Sequence, residues 1–475
     1  MIKIFTLTAL SFLALNGFAQ GYHIQVHTPY KSAGIAYLTY HFGKNLNVQD
    51  SVAIDDKGIA HFDGKEKLPG GIYAFVFPGK RNSFDFLIDK EQEVNIVADT
   101  SNLDKIQITG SKEDELFQQY RQFVDGIGRQ LTDERMAYMS SKTAKDSAMH
   151  EKRYMQLNKE LNDYRETMIK KNPESMMAAL LNAMKESPYL KKIPVTHKDS
   201  VEAYNYYKAN YWIGINFMDG RIIRTPFFIP KLERYYREVM PQSPDSLIKD
   251  IDYRLLYARN DSNMYKLLLN WFTDEYINPR YMGQDAVFLH LFDKYHSKGL
   301  TPWLTEKQME TITKRAYMLM ANQLGEPAAN MQLLNRNDKP TALYDVKADY
   351  TVVLFWDPNC SHCKHELPII DSVYRADWQK HNIKIYAVLT EYDKKAWTDY
   401  IDEHKINDWV NVYQTKQMAD EEAAAQRPGF KQLYDVIMTP TLFLLDKDKR
   451  IVAKKLTWDQ INDLLKVKLA KTAEK

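Results

Sequence analysis

The chain has 475 residues, more than one hydrophobic core ordinarily serves, so two or three domains are expected. Its 64 basic and 62 acidic residues leave a formal net charge of +2, which gives no reason to expect nucleic acid or an acidic membrane surface as partner. It has only two cysteines, Cys360 and Cys363, which excludes a small secreted scaffold stapled by several disulfides.

Residues 1–19 read as a cleavable signal peptide. Lys3 supplies the positive start, Ile4 to Leu15 is an apolar run diluted by Ser and Thr, and Gly17-Phe18-Ala19 is a small-x-small site with cleavage expected before Gln20. The run is shorter than the roughly 20 apolar residues a spanning helix needs, and no later segment is long and apolar enough. No cysteine follows it, so a lipid anchor is not supported. The expected location is the periplasm or cell envelope, with no membrane span after cleavage. Disulfides form and must be managed in that compartment.

Residues 20–110 read as a β domain, a small sandwich or barrel. Apolar and polar residues alternate over Tyr22 to His27, Ile35 to Tyr40, Val52 to Ile54, Ile72 to Phe77, Phe84 to Ile88, Val94 to Val97 and Ile106 to Ile108. Turn signals such as Asp56-Lys57-Gly58, Pro69-Gly70-Gly71 and Pro78-Gly79 separate them. His23, His27, His41 and His61 do not fall at a metal-ligand spacing.

Residues 111–322 read as an all-α domain. Leu116, Phe117, Tyr120, Phe123 and Ile127 recur at helical period in a helix expected from Glu115 to Lys171, stopped by Asn172-Pro173. Further helices are expected over Glu174 to Lys185, Ser200 to Phe217, Pro230 to Val239, Ser246 to Arg259, Ser262 to Ile277, Gln284 to Ser297 and Thr305 to Leu324. Asp219 to Pro226 reads as a turn. Tyr204, Tyr206, Tyr207, Tyr211 and Trp212 suit a helix core better than a docking surface.

Residues 323–475 alternate strand and helix, the pattern of a βα-type sheet. Gly325-Glu326-Pro327 reads as an exposed linker at its start. The expected strands are Thr351 to Trp356, Ile383 to Leu389, Thr441 to Leu445 and Arg450 to Lys454. The expected helices are Cys360 to Trp378, Asp393 to His404, Met418 to Tyr434 with a break at Pro428-Gly429, and Trp458 to Leu469. Both cysteines and every chemical motif lie in this segment, so a fragment of residues 323–475 is expected to fold alone.

The chemistry centres on Cys360-Ser361-His362-Cys363. A thiolate attacks a disulfide far better than a thiol, so an efficient redox cysteine needs a lowered pKa and access to solvent. Placed between a strand end and a helix start, the first sulfur of C-x-x-C lies near the unpaired N–H groups of the helix and its positive dipole end. The second sulfur, one turn on, can close the ring. Cys360 is therefore the expected nucleophile and Cys363 the resolving thiol. His362 between them would, as a cation, further favour the thiolate. No metal or other cofactor is expected, since the dithiol itself is the redox group. Zinc would need two more ligands.

Phe355-Trp356-x-x-x-Cys360-x-x-Cys363 resembles the active-site run of the thioredoxin superfamily. Pro368, five residues past Cys363, matches the proline that kinks that family's active-site helix, and Thr439-Pro440-Thr441 resembles its cis-proline loop. Cys363-Lys364-His365-Glu366-Leu367-Pro368 is similar to the continuation in the TlpA/ResA-like subgroup of bacterial cell envelopes, here fused to uncharacterised β and helical domains. The resemblance covers about residues 323 to 475. It implies a catalytic set of Cys360, Cys363 and Glu366, with Trp356, His362, Thr439 and Pro440 on the substrate side. Two departures stand out: Asn359 where a Trp is common, and Leu354 where a buried acid is frequent, which leaves proton handling to Glu366.

The implied function is a periplasmic thiol–disulfide oxidoreductase that exchanges disulfides with exported proteins. The family leans toward reduction, for example of apocytochrome, whereas His362 leans toward oxidation or isomerisation. Expected partners are exported thiols or disulfides and an upstream electron donor or acceptor; a homodimer is left open. The alternatives are an envelope binding protein with an accessory redox module, or a thiol peroxidase. The last would want Thr or Ser at position 357, where this chain has Asp357.

Overall fold

A computed structural model describes residues 21–31, 34–99, 101, 106–190 and 193–473. The signal peptide expected at residues 1–19 lies outside the described residues. The protein is multidomain, with N-terminal β sheets, central helices and a C-terminal α/β sheet. Its contacts divide it into two compact units, 1–240 with 254–265, and 241–253 with 266–475. No helix among the described residues is long and apolar enough to cross a membrane.

Among the described residues the first unit starts with eight strands: β1 (Tyr22–His27), β2 (Ile35–Phe42), β3 (Asn45–Ala53), β4 (Ile59–Gly64), β5 (Gly71–Val76), β6 (Ser83–Ile88), β7 (Glu93–Val97) and β8 (Gln107–Thr109). They form two four-stranded sheets, ordered β4-β1-β7-β8 and β3-β2-β5-β6. Ile24, Val26, Phe62 and Ile96 from one sheet share a core with Leu38, Phe75 and Phe86 from the other, which makes a sandwich. The turn into β4 needs Gly58: its φ is +85°, and a Cβ there would stand 2.4 Å from the carbonyl oxygen of Thr28. Strand β4 follows that turn with the alternation Ala60, Phe62 and was not anticipated.

The long helix expected over 115–171 is two helices, α1 (Lys112–Ser140) and α2 (Ala144–Lys171). The break contains no Gly or Pro. It is made by Thr143, whose hydroxyl caps α2 by accepting from the Asp146 N–H. Ser111 caps α1 in the same way. Two carboxylates in the first turn of α1 are buried. Asp114 accepts from the Leu87 N–H of β6 at 2.8 Å. Glu113 accepts from the N–H groups of Met176 and Met177, each at 3.0 Å, at the start of α3 (Met176–Ala183). Then come α4 (His197–Ala209), a 3₁₀ turn (Gly220–Arg224) and α5 (Phe228–Arg234), which runs into a π-turn. Of the aromatic series, Tyr211 and Trp212 pack in the core against Tyr235, but Tyr204 and Tyr206 are exposed.

The next helices are α6 (Pro244–Ala258), α7 (Ser262–Ile277), α8 (Asp285–Leu291) and α9 (Glu306–Met320). The division in contacts falls within this stretch and not at 322/323, so the expected single helical domain over 111–322 is split. Each helix bears an apolar stripe, and periodicity does not say which core the stripe joins. Helices α8 and α9 belong to the same unit as the C-terminal sheet.

That sheet has seven strands, β9 (Gln332–Asn335), β10 (Pro340–Ala342), β11 (Tyr350–Trp356), β12 (Ile383–Leu389), β13 (Val410–Tyr413), β14 (Thr441–Asp446) and β15 (Ile451–Lys454), in the order β10-β9-β13-β12-β11-β14-β15. The central strand β11 is parallel to β12 and antiparallel to β14. Val352, Leu354 and Trp356 join one apolar cluster, with α10 (Ser361–Ala376), α11 (Lys394–His404) and α14 (Trp458–Ala473). Val353 and Phe355 join another on the opposite face, with α13 (Phe430–Leu433), which follows α12 (Lys416–Ala424). Burial on both faces explains why β11 reads as an unbroken apolar run. The expected exposed linker at 325–327 is instead stapled to the edge of the sheet: Gly325 N–H donates to the Ile451 carbonyl at 2.8 Å, and Ile451 N–H to the Glu326 carbonyl at 2.9 Å.

Candidate active site

Strand β11 ends at Trp356, and three residues later the chain enters α10. Cys360 occupies the N-cap of that helix, with extended backbone, and its Sγ accepts from the Cys363 N–H at 3.4 Å. A sulfur therefore stands where Ser, Thr or Asp would normally cap a helix. On its other side the Cys360 thiol donates to the carbonyl oxygen of Thr439 at 3.3 Å. Thr439 precedes a cis bond to Pro440, and β14 begins at the next residue. The loop at 439–440 and the C-x-x-C turn, far apart in sequence, thus meet at one sulfur.

The two thiols differ in surroundings. Both are free. Burial pushes the Cys360 thiol up, but the Thr439 hydroxyl and the N–H groups of Cys363 and His362 outweigh it, and its pKa lies below the ordinary thiol value. The bond to the Thr439 carbonyl favours the protonated form, so the same residue steadies the thiol through one oxygen and the thiolate through the other. Cys363 is 1% exposed, and burial pushes its pKa up to about 12.

The other expected site residues are distributed differently. His362 is exposed on the first turn of α10, and Glu366 is half-buried one turn beyond Cys363, without a hydrogen bond or ion pair among the described residues. Thr439 and Pro440 are half-buried and face the cysteine pair through the contact described. Trp356 departs from expectation. It is 0% exposed, its ring packs 5.2 Å from that of Tyr400, and its carbonyl accepts from the Thr390 N–H. A residue so enclosed supports the site from beneath and does not meet a substrate. Leu354, in place of an acid, is likewise sealed in the core.

Sequence reading missed Tyr400. It lies on α11 in the same apolar cluster as Cys363 and Trp356, with His404 stacked on it at 3.8 Å. Burial, and then the negative charge Cys363 carries when ionised, push its pKa up to about 12. No motif marks it; only the helical period of α11, shared with Trp397 and Ile401, places it inward.

The fold and paired cysteines define the class: the C-terminal segment is a thioredoxin-like domain, and the protein is a thiol–disulfide oxidoreductase. Residues 324–454 match the AhpC/TSA family, and residues 22–117 match a domain of unknown function (DUF4369). Within that class the chain is similar to the thiol-disulfide oxidoreductase ResA of Bacillus cereus, with 25% identity over 132 residues, covering 28% of this chain and 69% of that one. Among solved structures it is similar to a thioredoxin-like protein from Bacteroides caccae (18% identity, TM-score 0.45, 60% of this chain and 98% of that one). It is also similar to a thiol:disulfide interchange protein from a Bacteroides species (27% identity, TM-score 0.27, 31% and 90%).

Proposed function

We propose that the protein reduces disulfides of exported proteins in the periplasm through its Cys360–Cys363 dithiol. The observation that carries this reading is the opposite treatment of the two sulfurs at one helix start. Cys360 is half-buried, capped and lowered in pKa; Cys363 is enclosed and held protonated.

In the forward cycle the Cys360 thiolate attacks one sulfur of a client disulfide. A bond forms between Cys360 Sγ and that sulfur, the client S–S bond breaks, and the other client sulfur leaves as thiolate. Cys363, once deprotonated, attacks Cys360 Sγ, forming the Cys360–Cys363 disulfide and releasing the second client thiolate. The client gains two electrons and the dithiol loses two. A dithiol donor returns them by the same exchange in reverse. Exposed His362 faces solvent at the first turn, where a client would approach; the Thr439–Pro440 segment offers backbone to an extended client chain. Glu366 is the nearest carboxylate along α10 to pass protons for Cys363. The signal-peptide reading of residues 1–19 supports the location.

A Cys363→Ala variant should accumulate mixed disulfides with client proteins through Cys360, whereas Cys360→Ala should trap none. The reduction potential of the Cys360–Cys363 couple decides direction: a value near that of cytosolic thioredoxin, about −270 mV, supports reduction, and one near −120 mV would reverse the proposal to oxidation.

A further inference from the structure

Within the C-terminal unit, a cavity of about 400 Å³ opens beside the residues that lead into the Thr439–Pro440 bond. The chain before α8 contributes Arg280 and Met282, α9 contributes Arg315, the end of β15 contributes Lys454 and Lys455, and the loop contributes Ile437. Four of these six are cations, and among the described residues Asp285 is the one carboxylate lining the cavity. Counting the partners behind the wall, Asp285 holds Lys454, Asp435 holds both Arg315 and Lys455, and Glu275 stands 3.5 Å from Arg280. Four positive charges meet three negative ones, which leaves a surplus of one.

The surplus is placed at the mouth. Lys454 is locked in the wall, donating to Asp285 at 2.6 Å and to Asn322. Arg280 is different: its side chain is 58% exposed, and the long contact with Glu275 is its only polar contact among the described residues. Its guanidinium is left with N–H groups for an incoming carboxylate, which it can hold through two parallel bonds. Two apolar side chains stand exposed beside the mouth. Ile437 is 74% exposed and Met438 67%, and these are the two residues immediately before Thr439. Adjacent exposed aliphatic side chains next to a reactive sulfur suit a contact surface better than bare solvent.

We infer that this cavity is a docking site for the client polypeptide, selecting a segment that carries an acidic side chain close to its cysteine. The inference rests on the reading above, in which Cys360 attacks a client disulfide. A client chain lying extended along the loop would advance about 3.3 Å per residue. Ile437 at the cavity lip stands two positions before Thr439, so the acidic residue should lie two to four positions from the client cysteine. Its apolar neighbours would cover Ile437 and Met438.

The test uses the full chain and peptide disulfides that differ only in an Asp or a Lys three positions from the cysteine. The wild type should reduce the Asp peptide about fivefold faster than the Lys peptide at low salt, with the ratio collapsing at high salt. Arg280→Glu should abolish or invert that ratio, and Ile437→Ser should slow both peptides alike. Equal rates for the two peptides, or a ratio untouched by Arg280→Glu, would overturn the inference. Binding of Ser-for-Cys peptides to a Cys360→Ser/Cys363→Ser variant reads the surface without the chemistry. The same preference for Asp is expected there, and its absence overturns the docking site even if reduction proceeds. Failure of the wild type to reduce any disulfide, with that binding preference intact, would count against the proposed reaction alone.

Discussion

The Sγ of Cys360 lies 3.3 Å from the carbonyl oxygen of Thr439, so the start of α10 and the turn before β14 converge on one atom. The Cys360 sulfur is held by a helix on one side and by a loop on the other. Displacing either element should alter its reactivity.

Alkylation of the reduced protein should label Cys360 far ahead of Cys363. With Cys363 pushed up to about 12, only about one in 10⁵ of its sulfurs is ionised at pH 7, whereas Cys360 lies below the ordinary thiol value. Peptide mapping after a brief iodoacetamide pulse should give at least about a hundredfold excess at Cys360. Comparable labelling would exclude Cys360 as nucleophile.

Thr439→Val removes the hydroxyl that favours the Cys360 thiolate and keeps the carbonyl that favours the thiol. The pH profile of Cys360 alkylation should move to higher pH, with slower reduction of a small disulfide at pH 7. A profile that stays in place would mean that the helix start alone sets the pKa.

Asp285→Ala should destabilise the C-terminal unit by about 3–5 kcal/mol, since it strands the Lys454 ammonium in a site where that side chain is 6% exposed. Replacing both partners, Asp285→Leu with Lys454→Met, should restore most of the loss. Thermal or urea unfolding checks both. The same pair bears on the fragment 323–475, which lacks Asp285 and Asn322. It should keep the sheet and both cysteines but be less stable than a fragment that begins at 266.

Asp114 gives the first unit a pH dependence. Burial raises its carboxyl from 3.8 to about 7. A raised acid contributes stability that is fully present below its unfolded value and is lost as pH climbs through the folded one. Stability of this unit should therefore fall between about pH 4 and pH 7, by up to about 4 kcal/mol. Asp114→Asn, which keeps an acceptor for the Leu87 N–H, should flatten that slope; an unchanged slope would remove Asp114 as its source.

The redox motif was the most legible part of the sequence, because C-x-x-C chemistry demands a strand end and a helix start within a few residues. Apolar alternation also located most of the longer strands. Strands β9, β10 and β13 escaped because each has three or four residues and no full alternation to show. The break between α1 and α2 escaped because it is made by a threonine cap, not by Gly or Pro. The motif offset of Trp356 points to the substrate side, yet β11 is buried on both faces, so no side chain at its end is left to solvent, and an offset carries no information about burial. The assignment of α8 and α9 to the C-terminal unit depends on partners such as Lys454, some 170 residues away from Asp285, and no local pattern encodes that pairing.

The two cysteines three positions apart are the only ones in the chain. On the proposed reaction, a third thiol in the chain would be a place to become wrongly cross-linked. Here there is nothing internal to scramble. Within one chain, a disulfide at Cys360 can close only with Cys363.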